Sequence, residues 1–295
     1  MKKNPTNPEK EKSKLTKEEW REYTKTVWQI ANISDSSHPA VFPPEIPRRL
    51  IKLFSFCGET ILDPFGGTGT TALVANDLDR HAICVEQNPK YAKIIRERCN
   101  TLLAGADHTQ VILGDSTNME IIASNSVGLV VTSPPYWNKA DYGDSKENIG
   151  NEPIYPAFFD RIRPAFQECY RVLKPGRKLC LVTANVNQHT EFGLLTFPLA
   201  SDFICLLRDI GFLLVNEIVW SKDGTGGKWG SYGKQRPIFG SYPYPPNFLF
   251  KNVHEYIIIV AKPPENRANG KTVISYDYLL GRSESRIPKK LVRGS

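Results

Sequence analysis

Thr60-Ile61-Leu62-Asp63-Pro64-Phe65-Gly66-Gly67-Thr68-Gly69-Thr70-Thr71 decides the fold of this 295-residue chain. Its first four residues read as a short buried strand, its glycines as a tight turn, and its closing threonines as the start of a helix to about Leu78. The alternation repeats downstream. Residues 82–86 form a second strand, and Asn88-Pro89 opens a helix to about Leu103, with Asn as cap and Pro in the first turn. A third strand, 109–113, ends in Gly114-Asp115, and a fourth is the apolar run Val127-Gly128-Leu129-Val130-Val131. A helix over 155–173, expected to kink at Pro164, stops at Lys174-Pro175-Gly176. A fifth strand follows at 178–183, then a helix at 199–210 that ends on Gly211. Two long strands, 213–221 and 255–262, close the pattern with no helix between them. Strands alternating with helices imply an α/β fold: a doubly wound, mostly parallel sheet of seven strands, with the last pair adding an antiparallel edge strand.

Upstream, residues 1–14 read as a disordered tail. Thr16 begins a helix with capping-box spacing to Glu19, and Trp20, Tyr23 and Val27 recur on one of its faces. A Ser- and Pro-rich loop over 32–44 leads into a helix at 45–55. With 40% hydrophobic and 23% charged residues the chain reads as globular, and no apolar stretch approaches the roughly 20 residues that span a bilayer. The charged N-terminus lacks a signal-peptide core, so a cytoplasmic location away from membranes is expected. The six cysteines are scattered without a CxxC pair, and the five histidines form no ligand spacing with them. Reduced, buried thiols and no metal site are the expectation.

Net charge is +7, unevenly spread. Residues 222–295 carry 13 Lys and Arg against 5 Asp and Glu, whereas 26–221 carry 17 against 21. A basic C-terminal quarter on a neutral-to-acidic body points to a polyanion contacted at one end. A solvated basic tail accounts for 282–295, but Lys228, Lys234 and Arg236 are interleaved with Trp229, Tyr232 and Phe239. The loop that holds them, about 30 residues long, exceeds an idle connection.

In open α/β sheets ligands bind beyond the carboxyl ends of the strands, and here four successive strand ends carry distinctive residues. The loop after Asp63 lets backbone approach a ligand closely, yet it is neither GxGxxG nor a Walker A, because no Lys follows the last Gly. An acid at its start repels pyrophosphate and suits the ammonium of an amino acid. Glu86, with Gln87 beside it, lies about 20 residues past the glycines, where a ribose-binding acid is expected. Asp115, followed by Ser116, is placed to accept from an adenine amino group. The fourth end is Thr132-Ser133-Pro134-Pro135-Tyr136-Trp137, whose prolines cannot continue a ladder or a helix interior. Such a turn holds an amino group by its hydrogens while stacking the ring that carries it.

Together these segments resemble the S-adenosylmethionine-dependent DNA amino-methyltransferases. Residues 63–71 resemble that family's cofactor loop in its DPFxGxGTT form, and His38-Pro39-Ala40-Val41-Phe42-Pro43 resembles the segment lying against the methionine end of the cofactor. Thr132-Ser133-Pro134-Pro135-Tyr136-Trp137 resembles the catalytic loop in the version typical of cytosine-N4 enzymes. Leu173-Lys174-Pro175-Gly176 and Glu217-Ile218-Val219-Trp220-Ser221-Lys222 match later landmarks, so the similarity covers about 28–262. Cofactor motifs precede the catalytic loop, an order that resembles a circular permutation of relatives that carry the catalytic half first.

The resemblance implies a Rossmann-like catalytic domain over 15–221 and 254–262, a small target-recognition insertion at 222–253, and a basic tail at 263–295. It implies S-adenosylmethionine held by His38, Pro39, Phe42, the 63–71 loop (Asp63, Pro64, Phe65, Gly66, Gly67, Thr68, Gly69, Thr70, Thr71), Glu86, Gln87, Asp115 and Ser116. Ser133, Pro134, Pro135 and Tyr136 are the catalytic set. Ser133 Oγ and the Pro134 carbonyl accept the amino hydrogens, and Tyr136 stacks on a base flipped out of double-stranded DNA. Lys222, Lys228, Trp229, Tyr232, Lys234 and Arg236 are the expected DNA contacts; Trp137 joins them or packs in the core. A restriction–modification role beside an endonuclease follows by the same resemblance. Adenine-N6 methylation, an RNA or protein methyltransferase, and a silent DNA-binding protein are the alternatives. Cytosine is preferred because Ser133 stands where adenine enzymes usually have Asp or Asn. The ending Leu291-Val292-Arg293-Gly294-Ser295 resembles a damaged protease-tag remnant.

Overall fold

The computed structural model describes residues 8–32, 42–102, 108–138, 148–222 and 252–264. By compactness the chain divides into Met1–Pro263 and Pro264–Ser295, and all described residues but Pro264 belong to the first unit. In chain order its elements begin with α1 (Pro8–Lys12), α2 (Lys17–Tyr23), β1 (Val27–Gln29), α3 (Glu45–Phe54) and β2 (Thr60–Asp63). Next come α4 (Thr70–Asp77), β3 (His81–Glu86), α5 (Pro89–Leu102), β4 (Thr109–Leu113) and β5 (Val127–Thr132). A 3-10 turn at Ile149–Asn151 precedes α6 (Tyr155–Val172), β6 (Leu173–Thr183), β7 (Val186–Thr190), β8 (Gly193–Phe197), α7 (Leu199–Ile210), β9 (Leu213–Ser221) and β10 (His254–Ala261).

The main sheet runs β1-β9-β10-β6-β5-β2-β3-β4, and β7-β8 form a separate antiparallel pair. The α/β class and mostly parallel sheet agree with the sequence reading. The strand count and the place of the antiparallel strand differ. Among the described residues eight strands form the sheet, because Val27 does not continue the helix at Thr16 but opens β1, paired parallel to the end of β9. The antiparallel strand, β10, is not an edge: it inserts between β6 and β9 and pairs with both. Residues 8–12 are helical rather than disordered, and Ser13 Oγ accepts the Cys57 N–H at 2.7 Å.

Central strand β5 is buried along its whole length, as a parallel strand covered on both faces must be. Its side chains alternate: Val130 joins a core under α6 and α7, while Leu129 and Val131 join one under α3, α4 and α5. In α6, Phe158, Ile162, Phe166 and Cys169 recur at helical spacing and are fully buried. The helix runs through Pro164 unbroken. Thr16 and Glu19 make the capping box of α2, and Gly211, at φ 118°, ends α7 in the left-handed conformation. All six cysteines are free thiols, five of them buried and Cys205 exposed. No helix among the described residues is long and apolar enough to cross a membrane.

Candidate active site

Strands β2, β3 and β4 advance to one side of the sheet, and β5 then returns to pair with the other side of β2. A cleft opens at that reversal, beyond the carboxyl ends of the strands.

The loop after β2 is shaped by backbone bonds. Gly66 N–H donates to Val85 O at 2.9 Å and Gly69 N–H to Gly66 O at 2.8 Å. A Cβ on Gly66 would stand 3.2 Å from Cys84 Cβ and 3.3 Å from Val85 O, so glycine lets the loop lie this close to β3 without β3 giving way. Gly69 caps α4 at φ 85°, where a side chain would be strained and would meet Ile95 at 3.0 Å.

Asp63 is buried and accepts hydrogen bonds through both oxygens. Its Oδ1 accepts from Thr132 Oγ1 at 2.7 Å and from Phe65 N–H at 3.1 Å, and its Oδ2 from Thr71 Oγ1 at 2.8 Å. Burial outweighs these donors and pushes its pKa from 3.8 up to about 7. Thr132 directly precedes the proline turn, so one carboxyl joins the glycine loop to that turn. Glu86 accepts from Gly67 N–H and Asn88 N–H, both at 2.8 Å, and burial raises its pKa against those bonds. Asp115 is exposed at the rim, where its Oδ1 accepts from Thr117 N–H at 2.9 Å.

Phe42, Asp63, Pro64, Phe65, Gly66, Gly67, Thr68 and Thr70 line the cleft on one side. Glu86, Gln87, Asp115 and Ser116 line it along the β3 and β4 ends, and Ser133, Pro134, Pro135 and Tyr136 along β5. Gly69 and Thr71 lie behind this lining, as helix cap and as donor to Asp63. His38 and Pro39 lie outside the described residues, as do Lys228, Trp229, Tyr232, Lys234 and Arg236. Sequence reasoning missed Tyr91, Asn148 and Ile149 in the lining and Thr132 behind it. For Tyr91 the available signal was an aromatic in the first turn of the helix after Glu86.

One expectation changes and one alternative is favoured. Of the two readings of Trp137, its burial fits packing in the core. Its Nε1 donates to Glu152 O at 2.7 Å and its ring lies 4.7 Å from Phe197 and 4.9 Å from Tyr155. Lys222 offers no surface ammonium for a phosphate: it is buried, ion-paired to Glu255, and 4.4 Å over the Trp220 ring. Glu255 also accepts from Tyr136 Oη at 2.8 Å. Ser133 Oγ stands 3.5 Å from Tyr136 Oη, at the outer limit of a hydrogen bond.

The cleft carries the Asp63, Glu86 and Asp115 carboxyls and, among the described residues, no Lys, Arg or His. It suits a ligand rich in cationic and hydroxyl donors and disfavours a polyphosphate.

A family model described as DNA methylase matches residues 1–97 and 127–290. The Type II methyltransferase M.MjaI of Methanocaldococcus jannaschii is 41% identical over 100 residues, 32% of this chain and 33% of that protein. The Type II methyltransferase M.BglI of Bacillus subtilis is 39% identical over 93 residues, 31% of this chain and 27% of that one. The chain thus spans about a third or less of the length of these two relatives. Among solved structures, the cyclase SpnF superimposes with a TM-score of 0.50 over 80% of this chain and 87% of its own. At 16% identity that likeness is one of fold alone.

Proposed function

Because the chain belongs to the DNA methylase family whose model it matches, we propose that it transfers a methyl group from S-adenosylmethionine to the exocyclic N4 of cytosine in duplex DNA. One observation carries the reading: the Ser133-Pro134-Pro135-Tyr136 turn and an acidic, phosphate-averse pocket share a cleft and are joined by the Thr132–Asp63 hydrogen bond.

The residues present fit this cofactor. Asp63 suits its ammonium, Glu86 its ribose hydroxyls and Asp115 its adenine amino group, while Phe65 and Tyr91 supply apolar walls. When bound, S-adenosylmethionine supplies a methyl already activated on a sulfonium.

An exocyclic amino group is a poor nucleophile, because its lone pair is delocalised into the ring. Ser133 Oγ and the Pro134 carbonyl accept its two hydrogens and favour a pyramidal nitrogen whose lone pair faces the methyl donor. Proline at 134 and 135 fixes the turn, so little reorganisation accompanies transfer. Tyr136 gives the cleft an aromatic wall for a base turned out of the duplex, since the target nitrogen is out of reach inside it. Preference for cytosine over adenine follows from Ser133 standing where the resemblance puts Asp or Asn in adenine enzymes. A restriction–modification role comes by the same route.

The substrate class is tested by incubating the purified protein with tritiated S-adenosylmethionine and, separately, duplex DNA, RNA and a protein mixture. Label in DNA alone is expected; label confined to RNA or protein overturns the reading.

A further inference from the structure

Resting on that reading, we infer that Glu255, held by Lys222, is a positioning residue for methyl transfer that fixes the far end of the catalytic turn through Tyr136. The residues come from three strand ends far apart in sequence. β10 runs antiparallel to β9 with Glu255 opposite Trp220, and antiparallel to β6 with Tyr256 opposite Thr183. The start of β10 therefore lies at the same edge of the sheet as the ends of β5, β6 and β9. There the Glu255 carboxylate has both oxygens committed. Oε2 accepts from Tyr136 Oη at 2.8 Å, and Oε1 accepts from Lys222 Nζ.

All three residues are at least nine-tenths buried, Tyr136, Lys222 and Glu255 each being 9% exposed. A buried ion pair is a poor source of net stability, because desolvation consumes most of its attraction. It is well suited to fixing an orientation, and its carboxylate makes the bond to Tyr136 charge-assisted. The turn is thus tied at both ends: Thr132 to Asp63 before Ser133, and Tyr136 to Glu255 after Pro135. Ser133 Oγ and the Pro134 carbonyl sit between the ties, with Ser133 Oγ reaching Tyr136 Oη only at 3.5 Å. Neither Glu255 nor Lys222 lines the cleft, so both act on the reaction through Tyr136.

The test compares Glu255→Gln, Lys222→Met, Tyr136→Phe and the Glu255→Gln/Tyr136→Phe double variant with the wild-type chain. Hydrogen exchange of the protein alone reads the tie directly. The amides of Ser133, Tyr136 and Trp137 should exchange faster in each single variant, while peptides covering 63–71 stay unchanged. Single-turnover methylation should fall about tenfold to a hundredfold at an S-adenosylmethionine affinity within about twofold of wild type. The double variant should be no slower than its slower parent, because both changes break one bond. Wild-type exchange of the turn in Glu255→Gln and Lys222→Met, or single-variant losses that multiply in the double, overturns the inference. Tyr136→Phe removes one hydroxyl and keeps the test open should the Glu255 variant fail to fold. If the wild-type chain methylates no DNA, the functional reading fails, while hydrogen exchange still decides whether the tie exists.

Discussion

On the β2–β3 side of the cleft, Asp63 bonds to Thr71 eight residues away and Glu86 to Gly67 across nineteen; on the β5 side, Thr132 reaches Asp63 across 69 residues and Tyr136 reaches Glu255 across 119. The first half is a local device, a strand, a glycine turn and a helix start that close on themselves. The second is a short rigid turn whose position is set by distant strands. A ligand pocket can be carried by a contiguous segment, whereas the turn proposed to address the reacting nitrogen depends on the assembled sheet.

The largest expected effect separates the halves by chemistry. Ser133→Ala should cut single-turnover methylation on the order of a hundredfold while leaving S-adenosylmethionine affinity nearly unchanged, since only the proposed hydrogen-bond acceptor for the amino group is lost. A calorimetric affinity that falls as far as the rate would mean that the two halves are one unit.

A smaller effect comes from Asp63. Burial holds its pKa near 7, well above the usual 3.8, so the free protein keeps this proton below neutrality. Because the folded-state value is raised, the stability it contributes is fully present below about pH 4 and is lost as pH rises through about 7. A cationic ligand favours the anion, so the sign for binding is opposite. Cofactor affinity should rise by up to about tenfold per pH unit toward 7 and then level off, with proton release on binding. Calorimetry in buffers of different ionisation enthalpy reads both; a flat profile would remove Asp63 from contact with the cofactor's charge.

The smallest effect tests Trp137. Trp137→Phe should lower stability in urea by about 1–2 kcal/mol through the lost bond to Glu152 O and looser packing, with DNA affinity unchanged. A weaker DNA complex at unchanged stability would return this residue to the interface.

The same division explains what could be read from the sequence. Asp63 through Thr71, Glu86 and Asp115 end or follow strands with clear apolar signals, and the structure gathers them with Ser133–Tyr136 around one cleft or directly behind it. The hydrophobic periods likewise mark β2 to β6 and α3 to α7. A three-residue strand such as β1 is too short to carry a period, and the spacing of Val27 from Trp20 and Tyr23 extends the preceding helix instead. An antiparallel strand at the end of the chain has no local mark saying that it inserts between β6 and β9 rather than capping an edge. Lys222 resembled a phosphate ligand because it borders a basic loop. Only the register of β10 against β9 brings Glu255 to it and buries both. The candidate DNA contacts at 228–236 lie outside the described residues.

The most direct measurement is mass spectrometry of nucleosides from duplex DNA that is unmethylated at the outset and treated with the purified chain and S-adenosylmethionine. N4-methylcytosine is the expected product; N6-methyladenine would contradict the assignment of Ser133 to cytosine, and no methylated nucleoside would contradict the methyl-transfer site itself.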